Sequence, residues 1–251
     1  VLMSGDEGVA RAVWEAGVKV AAAYPGTPST EMLEVISTYP DLYAEWSVNE
    51  KVSLEVAIGA AYAGSRSFCC MKHVGMNVAS DALMTLTLTG VIGGLVIAIA
   101  DDVGLSSSQN EQDSRYWGRF AHVPVLEPAD SQEAYAMTLH AYELSEKFQV
   151  PVILRMTTRI NHVKGLVTVG ERGEMDVRGH LAGRPLAAHE LLDEIQVPRT
   201  WANHGDHRSL FQKGLQRLWR HLRQEALLGE HHVARKPIEP DLQTELAPDV
   251  V

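Results

Sequence analysis

The sequence predicts an α/β protein, a three-layer, doubly wound parallel sheet, on three observations. Up to about Gly170, short apolar runs alternate regularly with helical patterns. The run Leu95–Ala100 is apolar without alternation, as a strand buried on both faces must be. A polar turn, Tyr24-Pro25-Gly26-Thr27-Pro28-Ser29-Thr30, follows a buried-strand pattern at the place where open parallel sheets bind ligands.

In chain order, Ser4 caps a first helix that ends before Gly17. The apolar run through Val18–Ala23 reads as a strand. A second helix is expected from Pro28, a tolerated first-turn proline, to about Thr38. Strands follow near 42–46 and 66–71, separated by an apolar helix that opens at Asn49-Glu50 and carries Val52, Leu54, Ala57, Ile58 and Ala61. Another helix is expected near 75–88, then strands near 92–100 and 123–126. After Pro128, Asp130-Ser131-Gln132-Glu133 resembles a capping box, and Ala134, Met137, Ala141, Leu144 and Phe148 repeat at spacings of three and four. The last strand is expected near 151–156. Residues 1–170 read as one domain. Residues 171–251 differ: they hold seven of the eleven histidines and half of the lysines and arginines, and they show no strand signal. Leu210, Phe211, Leu215, Leu218, Trp219 and Leu222 have helical spacing, and the rest reads as extended or disordered. The tail is therefore expected to be poorly structured or helical.

Composition excludes several classes. The 251 residues carry a formal net charge of -10, which argues against a nucleic-acid binder. The longest apolar stretch, Gly90–Ala100, is about half of the roughly 20 residues that span a bilayer, so no membrane partner is expected. No signal segment is evident, and cytoplasm is the expected location. The two cysteines, Cys69 and Cys70, are adjacent and suit small buried apolar positions; they cannot supply the four thiolates of an iron-sulfur cluster. There is no Gly-x-Gly-x-x-Gly fingerprint, Walker A loop, nucleophile elbow or Cys-x-x-Cys.

Glu50 stands at the mouth of the apolar helix, where a lone carboxylate can face a low-dielectric cleft. A carboxylate that hydrogen-bonds the aminopyrimidine is what thiamine diphosphate chemistry requires. The plainer reading is that Asn49 caps the helix and Glu50 complements its dipole, worth about 0.3–1 kcal/mol. For the Thr27 turn, the alternatives are contact with an anionic substrate or cofactor near a helix amino terminus, or a Pro-Gly turn with a hydroxyl cap. Lys72, His73 and Asn77 leave the next strand at the same sheet edge and can face the same cleft, although His73 also fits a satisfied loop histidine. Asp101-Asp102 fit strand-end caps better than metal ligands. The polar segment Ser106–Asp113, with Gln109 and Asn110, fits contact with substrate, a neighbouring subunit or water. His231-His232 lack a carboxylate or cysteine at ligand spacing, so no metal site is predicted.

Taken together, Val18–Thr30, Tyr43–Val52, Met71–Asn77, Ser107–Asp113, Pro151–Arg159 and Asn161-His162 closely resemble the amino-terminal domain of the alpha subunits of indolepyruvate ferredoxin oxidoreductases, within the wider 2-oxoacid:ferredoxin oxidoreductase family. The resemblance covers roughly residues 1–170. It implies the pyrimidine-binding domain of the thiamine diphosphate fold, with Glu50 at the position that meets N1' of the cofactor and Thr27 in the loop that approaches the substrate carboxylate. His73, Asn77, Gln109 and Asn110 are the further substrate-side candidates. The implied reaction is oxidative decarboxylation of an arylpyruvate such as indolepyruvate to an acyl-coenzyme A. The resemblance assigns magnesium and the diphosphate to a partner chain or domain, and iron-sulfur clusters and ferredoxin to the complete complex.

The sequence also departs from that family. Gly205-Asp206 is followed by His207 and does not complete a Gly-Asp-Gly diphosphate motif, and no ferredoxin-like cysteine segment is present. The chain thus reads as one half of an active site, inactive alone and acting in a homo- or hetero-oligomer. Truncation, a remnant, a frameshift or a true subunit all fit. A non-oxidative thiamine enzyme and a non-catalytic assembly module are the alternatives.

Overall fold

The computed structural model describes residues 1–173. The helix expected around Leu210–Leu222, Gly205-Asp206 and His231-His232 lie outside the described residues.

After a short strand β1 (Leu2–Met3), helix α1 (Gly5–Glu15) begins at a complete capping box. The Glu7 amide donates to Ser4 Oγ (3.2 Å) and the Ser4 amide to Glu7 Oε2 (2.7 Å), satisfying two amino-terminal donors reciprocally. Strand β2 (Val20–Ala23) leads through the polar turn to α2 (Thr30–Ile36), shorter at both ends than expected. At its start, the Ser29 amide and hydroxyl both bond the Gly26 carbonyl (2.9 and 2.7 Å), keeping Pro28 and Ser29 in the turn. At its end, the Ser37 and Thr38 hydroxyls donate to the carbonyls of Glu34 and Val35 (both 2.7 Å), ahead of Pro40. The Thr27–Pro28 peptide bond is cis.

Next come β3 (Tyr43–Trp46), α3 (Glu50–Tyr62), β4 (Ser67–Lys72), α4 (His73–Thr89) and β5 (Leu95–Asp101). Helix α4 ends at Gly90, whose amide closes the last turn onto the Leu86 carbonyl (2.8 Å) and whose φ of 72° then turns the chain out of the helix. Helix α5 (Arg115–Ala121), whose bounds the sequence did not mark, is followed by β6 (Val125–Leu126), α6 (Ser131–Phe148), β7 (Val152–Thr157), the single turn α7 (Thr158–His162) and β8 (Gly165–Leu166). The expected box at α6 is half formed. Asp130 Oδ1 accepts from the Glu133 amide (2.8 Å), but Glu133 Oε2 reaches the amide of Ala129 (2.8 Å) instead of Asp130.

Six strands form one fully parallel sheet in the order β3-β2-β4-β5-β7-β6, and β1 pairs antiparallel with β8 outside it. Strand β5 is inside the sheet and every residue of it is buried, as its unbroken apolar run predicted. Side chains alternate across the sheet. Phe68 and Cys70 join the core under α1, α2 and α6, while Cys69 and Met71 join the core under α3 and α4. The two adjacent thiols thus face opposite layers. Both are wholly buried, and burial pushes Cys69 up to about 12 and Cys70 well above its ordinary value. Packing continues past residue 170: Arg172 lies over the Trp14 ring at 5.2 Å and the Gly173 amide bonds the Glu15 carbonyl at 2.9 Å. Among the described residues, no helix is long and apolar enough to cross a membrane.

Candidate functional site

Parallel register brings the ends of the strands into one line. Ala23 pairs with both Trp46 and Cys70, Lys72 with Ala100, and Asp101 with Thr157, so the loops that follow all open on one edge. Helix α2, after β2, covers one face, while α4, after β4, covers the other. Because β2 and β4 are neighbours, their departing loops diverge and leave a crevice at this switch in winding.

Lys72 and Ser107 tie the crevice loops together. A Cβ on Gly26 would come within 3.0 Å of Lys72 Cδ, so the lysine stem lies directly against the turn. Lys72 Nζ donates to the Ser107 carbonyl (3.1 Å), and Ser107 Oγ donates to the Thr27 carbonyl (3.3 Å). Thr27 is exposed in this turn. The Gly26 amide is already engaged by Thr30 Oγ1 (2.9 Å) and is not free for a ligand.

Glu50 is the first residue of α3. Asn49 caps the helix through its Oδ1, which accepts from the Val52 amide (2.9 Å), so capping does not consume the Glu50 carboxylate. Leu54, Ala57 and Ala61, at four, seven and eleven residues beyond Glu50, are buried. Glu50 therefore continues the buried stripe to the point where it emerges at the crevice, and it is half-buried there. Its side chain lies in a notch on α4: a Cβ at Gly75 would sit 2.7 Å from both Glu50 Cγ and Oε1. Among the described residues, no side chain or amide hydrogen-bonds this carboxylate. A half-sheltered, unengaged carboxylate seated in the space that Gly75 leaves by lacking a Cβ fits the partner of an aminopyrimidine nitrogen.

The remaining candidates separate. His73 is wholly buried. Its Nδ1 accepts from the Asp102 amide (3.3 Å) and its Nε2 donates to the Asn110 carbonyl (2.9 Å), so both nitrogens are used in holding the loop 102–110. Asn110 and Gln109 are exposed on that loop, and Asn110 Oδ1 accepts from Gln112 Nε2 (2.8 Å). Asn77 is exposed on α4, one turn beyond His73.

Asp101 and Asp102 act as strand-end anchors. Asp101 Oδ2 accepts from the Ser114 amide (3.0 Å) and Arg155 Nε (2.8 Å), joining the loop to β7. For Asp102, burial opposes ionisation. The Ser107 amide, the Ser108 and Thr158 hydroxyls and the Ser106 amide outweigh it, holding the carboxyl down to about 2. On the other side of the Thr27 turn, burial and the charge of Glu31 push Asp6 up to about 9, against a hydrogen bond from Asn161.

The notch at Gly75 and the buried Asn161 went unread in the sequence. A glycine in the first turn of a long helix was the signal for the first, because nothing about the helix itself requires it there.

This geometry defines an open parallel α/β domain with a ligand crevice at a switch in winding, walled on one side by a helix-borne carboxylate. Comparison with known proteins makes the assignment more specific. Residues 11–178 match the family model for the thiamine diphosphate-binding domain of pyruvate flavodoxin/ferredoxin oxidoreductases, and the chain belongs to that family. It is 50% identical over 188 residues to the indolepyruvate oxidoreductase subunit IorA of Methanothermobacter marburgensis, covering 74% of this chain and 30% of the relative. It is 50% identical over 177 residues to IorA of Thermococcus kodakarensis, covering 69% and 27%. A 2-oxoglutarate:ferredoxin oxidoreductase from Magnetococcus marinus shares the fold, with a TM-score of 0.59 and 21% identity over 71% of this chain and 34% of that one. The chain thus spans less than a third of the length of the curated relatives it matches.

Proposed function

We propose that this chain supplies the pyrimidine-binding half of a thiamine diphosphate-dependent 2-oxoacid:ferredoxin oxidoreductase acting on an arylpyruvate such as indolepyruvate. The observation that carries the reading is the Glu50 carboxylate, unengaged among the described residues, half-buried at the crevice and seated against Gly75. Identity of about 50% to IorA subunits, against 24% to a 2-oxoglutarate synthase subunit, supports the aryl substrate over a dicarboxylate.

When bound, thiamine diphosphate would supply the electron sink that decarboxylation of a 2-oxoacid needs. Glu50 shares a proton with N1' of its aminopyrimidine, and its half-burial beside apolar α3 strengthens that hydrogen bond relative to one in water. The Thr27 turn and the exposed Gln109 and Asn110 line the approach for the 2-oxoacid. His73 works from within, clamping the loop that carries them, and Lys72 joins that loop to the Thr27 turn. The overall conversion takes a 2-oxoacid anion and coenzyme A to an acyl-coenzyme A, carbon dioxide, one proton and two electrons. In a complete complex, iron-sulfur clusters would carry the two electrons to ferredoxin. Those clusters, and the magnesium and diphosphate contacts, belong to a partner chain or domain, so the chain alone does not turn over substrate. The free, deeply buried thiols of Cys69 and Cys70 suit a reducing compartment such as cytoplasm. We assign α3 and α4 to the subunit contact, because they flank the half-site and expose Tyr62, Val78 and Leu88.

The test is thiamine C2 proton exchange in the complex formed with the diphosphate-binding half. Glu50→Gln is expected to abolish exchange while leaving the melting temperature of the chain within about 2 °C, since the substitution is isosteric and exposed on one side. Unchanged exchange removes Glu50 from the mechanism. Arylpyruvate turnover without reduction of a low-potential acceptor would point to a non-oxidative thiamine enzyme, and absence of cofactor binding in every mixture to an assembly module.

A further inference from the structure

Below the Thr27–Pro28 turn, three helices bring a second group of ligating side chains together. Asp6 comes from the first turn of α1, Glu31 from the first turn of α2 and His162 from the end of α7. One donor atom from each lies within 4.8 Å of the other two. Asp6 is 1% exposed, Glu31 is half-buried and His162 is exposed, so the group is closed on the carboxylate side and open to solvent on the imidazole side.

The internal hydrogen bonds do not satisfy this group. Asn161 Nδ2 donates to Asp6 Oδ1 (2.6 Å) and to the Pro28 carbonyl (2.8 Å). Asp6 Oδ2 and Glu31 Oε2 are both buried with no partner among the described residues, and no hydrogen bond joins the two carboxylates. Buried acceptors of this kind are paired in native proteins, so this pair calls either for a proton kept on Asp6 or for a cation held between the two groups. A second observation comes from Asn161. Wholly buried, with its nitrogen 2.6 Å from Asp6 Oδ1, it also leaves its Oδ1 without a partner, so the residue bonded to Asp6 carries a further unsatisfied buried oxygen.

We propose that Asp6, Glu31 and His162, with Asn161 Oδ1 as an additional oxygen, form a binding site for one divalent transition-metal ion, distinct from the Glu50 crevice. Two carboxylates, an imidazole and an amide oxygen make a mixed nitrogen and oxygen set, which suits manganese, iron(II) or zinc over calcium or magnesium. The ion ties α1, α2 and α7 to one another beside the turn that carries Thr27, because Glu31 follows Thr27 by four residues and Asn161 holds the Pro28 carbonyl. Its role is to brace the turn; no chemistry at the crevice passes through it.

The full chain, stripped with chelator and desalted, is titrated with Mn²⁺ under electron paramagnetic resonance and with Zn²⁺ by calorimetry. The expected result is one ion per chain with a rise in melting temperature of about 5 °C at saturation. Asp6→Asn, Glu31→Gln and His162→Ala are each expected to weaken binding at least about tenfold. His162 is exposed, so its variant keeps the fold, and a His231→Ala/His232→Ala variant with unchanged uptake excludes the histidine pair as the site. Uptake that survives Asp6→Asn combined with His162→Ala overturns the proposal. Absence of uptake, with Asp6→Asn at least as stable as the parent, also overturns it and assigns a proton to the carboxylate pair.

Discussion

Glu50 and Gly75 show how a candidate carboxylate is placed by what its neighbour lacks. Glycine is disfavoured inside helices by about 1 kcal/mol relative to alanine, so Gly75 in the first turn of α4 is explained by the Glu50 side chain occupying its missing Cβ volume. Gly75→Ala is accordingly expected to leave stability unchanged or raised by up to about 1 kcal/mol in a urea melt, because the flexible Glu50 side chain can shift aside. The same substitution should weaken thiamine diphosphate binding and slow C2 exchange in the assembled complex. Normal exchange in Gly75→Ala would show that the notch does not set the carboxylate's position. Glu50 and the shelter of its carboxylate were legible in the sequence from its place before an apolar helix, whereas its seat against Gly75 was not, because the helix pattern does not say which residue of α4 it meets.

At the level of elements, the loop 102–110 is organised from inside by Asp102 and His73. Asp102 caps the Ser106 and Ser107 amides and accepts from the Ser108 and Thr158 hydroxyls, so one carboxylate folds the loop and joins it to α7. Its folded value of about 2 lies below the ordinary 3.8, which means that the unfolded chain binds its proton more readily than the folded one. The stabilisation is therefore complete above about pH 5, declines as the pH falls through 3.8, and is gone below about 2. The carboxylate is sealed by its own loop yet lies close to the surface, so screening limits the contribution to about 1 kcal/mol. Asp102→Asn should lower the urea midpoint at pH 7 and flatten its dependence between pH 5 and about 2.5. Equal pH slopes for the two proteins would remove Asp102 as the source. Elements with strong periodicity, such as α6 and the buried β5, were readable in advance. Helix α5 was not: Arg115–Ala121 is short, and its left-handed terminator is His122, at φ 58°, a residue that carries no stop signal.

Across the whole molecule, an acidic chain that spans less than a third of its relatives' length presents exposed apolar residues on α3 and α4, beside the crevice at its strand ends. These helices are expected to be covered in solution, giving a dimer or heteromer by light scattering at micromolar concentration; a monodisperse monomer would count against that contact. Local pattern alone determined the class of fold, the order of the strands along the chain, the capped start of α1 and the candidacy of Glu50, because apolar spacing and capping act over a few residues. Tertiary structure decided what depends on distant segments meeting. Strand order brought β2 beside β4 and opened the crevice between them. Residues 50 and 75, or 73 and 110, became neighbours only when the sheet assembled. Asp6, Glu31 and His162 converged from positions up to 156 residues apart, since long-range contact is set by packing in three dimensions and no local periodicity encodes it.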